Sequence, residues 1–157
     1  MIALAALAAC GRADADGAKA PVQPPVGWLA LPGLASGANK AAAAEGITVD
    51  GAEAWGDPAA GCYAVWLALH GSSGDAPALA KQVVDGLAAA KLETSEVSVP
   101  STDDGVLGLR FAAQGGVKGR LKARLGGGKI SALACFANPR EPKACEATCT
   151  TMLGAIE

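Results

Sequence analysis

Aromatic residues are scarce in this chain, making up 4% of its 157 residues as three Trp, two Phe and one Tyr. A core must therefore be assembled from Ala, Leu and Val around a few large anchors: Trp55, Tyr63, Trp66, Phe111 and Phe136. No aromatic–basic motif of the kind that reads RNA is present. An excess of one charge is missing too: the formal net charge is −2, so nothing draws the whole molecule toward nucleic acid. No run of about 18 apolar residues occurs, so no segment reads as a membrane-spanning helix. Histidine occurs once, at His70, and the sequence contains no G-x-S-x-G.

What is present begins with cysteine. The five cysteines stand at positions 10, 62, 135, 145 and 149. The first ends a short apolar run, Ile2 to Ala9, with no Lys or Arg before it. Leu7-Ala8-Ala9-Cys10 resembles the lipobox of bacterial lipoprotein precursors, which runs aliphatic, small, small, Cys. The resemblance implies a signal peptide over 1–9, a diacylglyceryl thioether on Cys10, and acylation of the new amino terminus. Two or more acyl chains anchor a domain stably, at about 0.8 kcal/mol per buried methylene. Gly11, rather than Asp, after the cysteine favours the outer membrane in such proteins. The competing reading is an Ala-rich helix whose cysteine belongs to the core.

Residues 11–27 hold three prolines, three glycines and no large hydrophobe. This composition predicts a flexible spacer between anchor and domain. The globular domain is then expected over 28–157, a length that one domain accommodates.

Within that span, Ile47 to Val49 reads as a short strand. Cys62 to His70 is a stronger one, apolar on both faces, as expected of a strand covered on both sides. Asp75 as N-cap and Pro77 in the first turn open an amphipathic helix running to about Lys91. Short strands follow at Val97–Val99 and Leu107–Phe111. In the next, Lys118, Arg120, Lys122 and Arg124 alternate with Leu121, Ala123 and Leu125. Gly126-Gly127-Gly128 turns the chain into Ile130 to Ala137, and Pro142 opens a last helix with Cys145, Cys149, Met152 and Ile156 on one stripe. The expectation is an α+β domain, a mostly antiparallel sheet of five to six strands with helices packed on it. This order is similar to that of PsbP-like extrinsic proteins and their bacterial lipoprotein relatives.

Without Cys10 the cysteines number four, an even set suited to two disulfides in an oxidising compartment. The helix stripe must face the sheet, so each of Cys145 and Cys149 is expected to bond to a strand cysteine, Cys62 or Cys135. Both such pairings stay open. A bond from Cys145 to Cys149 within one helix is disfavoured by geometry. The C-x-x-x-C spacing is not the C-x-x-C of a redox couple, and one short-spaced pair does not make a structural zinc site.

Catalytic signatures are absent. Ala68-Leu69-His70-Gly71 resembles the His-Gly turn of α/β-hydrolases, but that family also needs the serine elbow and a late histidine. The Gly126–Gly128 run reads as a hairpin turn, not a phosphate loop. Asp103, Asp104, Glu45, Glu53, Glu93 and Glu96 show no spacing that singles out an acid–base pair. The row Lys118, Arg120, Lys122 and Arg124 stands out, with neighbours about 6.6–6.8 Å apart on one strand face. It forms a positive ridge for lipid headgroups, an anionic polymer or an acidic envelope protein. Its plainer reading is a solvated face that deters edge pairing. No catalytic residue, metal site, cofactor or nucleic-acid partner is expected.

The sequence thus points to a membrane-anchored envelope lipoprotein, a non-enzymatic binding or assembly-accessory module of unknown ligand. The alternatives are an envelope enzyme of unrecognised class and a soluble ligand-binding domain with free thiols.

Overall fold

A computed structural model describes residues 17–72, 74–140 and 142–157. The lipobox and Cys10 lie outside the described residues. The chain runs β1 (Leu29–Ala30), α1 (Pro32–Ala44), β2 (Val49–Asp57), β3 (Cys62–His70), α2 (Ala76–Ala89), β4 (Glu93–Ser98), β5 (Gly105–Ala112), β6 (Lys118–Gly126), β7 (Lys129–Ala137) and α3 (Glu146–Leu153). The seven strands among the described residues join one antiparallel sheet in the order β1-β2-β3-β7-β6-β5-β4. The α+β class is as expected, with a strand more than anticipated at the sheet's margin.

The sheet's two faces carry different covers. On the first, Ala64, Trp66, Leu133 and Cys135 are buried beneath Cys149, Met152 and Leu153 of α3. On the second, Leu107, Leu109, Phe111 and Leu125 are buried beneath Leu79 and Ala80 of α2. The Asp75 carboxylate accepts the Ala78 N–H at 2.8 Å, which caps α2 where the sequence placed its start.

The structure adds to the sequence reading at three places. First, the described part of the spacer, 17–27, is laid against the first face: the Ala18 N–H donates to the Asp50 carbonyl, and Val22 is only 7% exposed. The packed domain therefore begins before Trp28. Second, Pro32–Ala44 forms a helix that the sequence pattern did not announce, since it offers Ala, Gly and Ser instead of a stripe of large hydrophobes. Third, the last helix starts with a 3₁₀ turn at Pro142–Cys145, and regular α-helix begins only at Glu146.

Two glycine sites explain local shape. Gly126, Gly127 and Gly128 all take positive φ, which lets β6 reverse into β7 across two residues. At Gly119 an added Cβ would meet the Phe111 ring at 2.4 Å and the Cys135 carbonyl oxygen at 2.7 Å. The missing side chain is what allows that ring to lie across β6.

Candidate functional site

The expected central strand β3 is covered unequally. Cys62, Ala64, Trp66 and Ala68 are all buried on the α3 face. Tyr63, Val65, Leu67 and Leu69, on the face toward α1 and α2, are only half-buried. The reason lies in the helices. The wall from α1 is made of Ala38, Ala41 and Ala42, and the wall from α2 includes Val83, Gly86 and Leu87. Side chains this short do not close the space between two helices resting on a sheet. A groove of about 490 Å³ remains, floored by Leu67, Leu69, Leu121, Ile130 and Ala132. It falls within the roughly 300–1,000 Å³ of small-molecule sites, which are mostly apolar with few polar groups. Among the described residues, its polar side chains are Gln82 and Glu45. Gln82 is tied down, its carbonyl oxygen accepting the Ser72 N–H at 2.9 Å and the Ser72 hydroxyl at 3.2 Å. Sequence reasoning missed this groove. The one available signal was a strand apolar on both faces beside a helix too rich in alanine to cover it.

The four cysteines resolve into Cys62–Cys145 and Cys135–Cys149, with Cα separations of 5.5 and 5.7 Å. Each ties a strand to the C-terminal segment, and the structure selects between the two pairings that spacing left open.

The basic row is brought together, and its two arginines are engaged by the C-terminal segment. Lys118, Arg120, Lys122 and Arg124 pair across the ladder with Ala137, Cys135, Leu133 and Ser131, so they share the face that carries α3. Arg120 Nη2 donates to Thr150 Oγ1 at 2.6 Å and to the Glu146 carbonyl at 3.2 Å. Arg124 Nη1 donates to the carbonyl of Glu157. Nor is β6 an edge strand, lying between β5 and β7, so deterring edge pairing is not its task. Arg120 thus braces the C-terminal helix, and Arg124 holds the segment that follows it. Arg110, on the same face, is itself paired with Glu96 at 2.7 Å. Replacing Arg120 by alanine is expected to lower stability by about 1 kcal/mol, the worth of a partly exposed hydrogen-bond pair. Urea unfolding checks this, and an unchanged midpoint would show that the contacts to α3 contribute nothing.

The remaining polar residues stay dispersed. His70 Nε2 meets Asp50 Oδ2 at 2.6 Å, both side chains well exposed. Glu53 accepts the Ala20 N–H at 2.8 Å and so holds the N-terminal segment in place. Among the described residues, no three His, Cys, Asp or Glu side chains gather as a metal cage. No described helix is long and apolar enough to cross a membrane.

The site thus defines a disulfide-crosslinked α+β domain with an apolar groove on its two-helix face. No family model, curated protein or solved structure matches the chain.

Proposed function

We propose that this protein is a lipid-anchored component of the bacterial cell envelope, and that its domain is a non-enzymatic binding module taking an apolar ligand between α1 and α2. The observation that carries the binding reading is the half-buried row Leu67, Leu69 and Ala132, the apolar floor left between α1 and α2. Leaving such a surface wet forgoes about 25 cal/mol per Å² of burial, a loss that a ligand recovers. The address rests on other features. Leu7-Ala8-Ala9-Cys10 has the form of a lipobox. The two crosslinks suit an oxidising compartment.

Two measurements test the two halves. Mass spectrometry of the mature protein from its native host is expected to find Cys10 at the amino terminus, carrying acyl chains. An intact Met1 with unmodified Cys10 would overturn the anchor. For binding, Nile red, an uncharged apolar dye, is expected to brighten at one site per domain with a micromolar Kd. Ala132→Phe, which fills the floor, is expected to weaken it at least tenfold. Absence of brightening with the wild-type domain, or brightening that Ala132→Phe leaves unchanged, would overturn the groove as the site.

A further inference from the structure

We infer that the groove selects a single-chain amphiphile with a cationic head, and discriminates against fatty-acid anions. This rests on the binding reading above and names the class of ligand for the same site. The argument is electrostatic. Both helices that wall the groove bring their C-terminal ends to it: Ala44 and Glu45 close α1, and Ala89 and Ala90 close α2. A helix C-terminus carries the negative end of the helix dipole, equivalent to about half an elementary charge. Glu45, the C-cap of α1, adds a full carboxylate at the same lining. All three contributions have one sign.

Among the described residues, no cation in the lining offsets them. The lysines of the flanking helices are not among the groove residues. Lys81 is paired with Asp85 on the exposed side of α2. Lys91, next after the α2 cap, lines a separate hollow with Leu92, Glu93 and Gln114. Lys40 of α1 is exposed and is not among the groove residues. Such a potential repels a carboxylate or phosphate head and attracts an ammonium. The apolar floor meanwhile takes the tail. At about 490 Å³ the space suits one chain and not a bilayer lipid with two.

The test uses the intact, disulfide-bonded domain at low ionic strength and three twelve-carbon probes below their micellar concentrations. These are dodecyltrimethylammonium, dodecyl maltoside and dodecanoate, followed by titration calorimetry. The ammonium is expected to bind about tenfold more tightly than dodecanoate, with the maltoside between them. Glu45→Gln is expected to shrink the ammonium-over-carboxylate ratio several-fold and leave the maltoside unchanged. Ala132→Phe is expected to weaken all three. Equal affinities, or a preference for dodecanoate or the maltoside, overturn the charge selection while the binding reading stands. No binding of any probe overturns both, as does binding that Ala132→Phe does not weaken. Glu45 exchange without effect on the ratio also defeats the inference.

Discussion

Replacing Cys62 and Cys145 together by alanine is expected to cost about 4–5 kcal/mol, against about 3 kcal/mol for removing Cys135 and Cys149. The difference comes from the unfolded chain. Cys62–Cys145 closes a separation of 83 residues and Cys135–Cys149 one of 14, and longer loops lose more conformational freedom when crosslinked. The folded side of the balance is similar for both, since all four cysteines are buried on the same face and all four bonded Cα atoms sit at ordinary separations. Either loss is a large share of the 5–15 kcal/mol that typically holds a domain together. Urea unfolding of the two double variants and of the oxidised parent checks the ranking. An inverted order would refute loop length as the source of the difference, and losses under about 1 kcal/mol for both pairs would show that packing of Met152, Leu153 and Ile156 holds α3 without the crosslinks.

The same crosslinks show what the sequence could and could not disclose. Cys145, Cys149, Met152 and Ile156 recur at helical spacing, and all four are buried against the sheet. Spacing fixed that the stripe faces strands, but which strand cysteine each meets depends on the sheet order, a non-local property. Alternation in Lys118 to Leu125 gave the two faces of β6 correctly. It did not reveal that α3 would settle on the charged face, where Arg120 braces the helix and Arg124 the residues after it. The helix Pro32–Ala44 went unread because it carries no stripe of large hydrophobes, Ala35 alone of its residues being buried. The groove went unread for the same reason, being a consequence of the volume those residues do not fill. Apolar periodicity reports which residues point inward, not whether what they point at is fully covered.

The second large effect concerns Trp66. It is 2% exposed, lies mid-strand in β3 opposite Leu133, and its indole N–H donates to Ser131 Oγ at 2.9 Å. In a chain with so few aromatics, this ring fills space that alanines around it cannot: Ala64 and Ala68 flank it on the same face of β3. Trp66→Ala removes the ring and leaves a cavity between the sheet, the N-terminal segment and α3. The expected loss is about 3–5 kcal/mol. Trp66→Phe keeps most of the apolar volume and removes the N–H donor. Ser131 is only half-buried, so its hydroxyl finds water in place of the indole. A loss of about 1 kcal/mol is then expected, mainly from the smaller ring. Denaturant midpoints of the two variants separate the contributions. If Trp66→Phe costs as much as Trp66→Ala, the hydrogen bond to β7 and not the buried ring anchors this face. If both cost under about 1 kcal/mol, the first face is held by its disulfides and the aromatic anchor is dispensable.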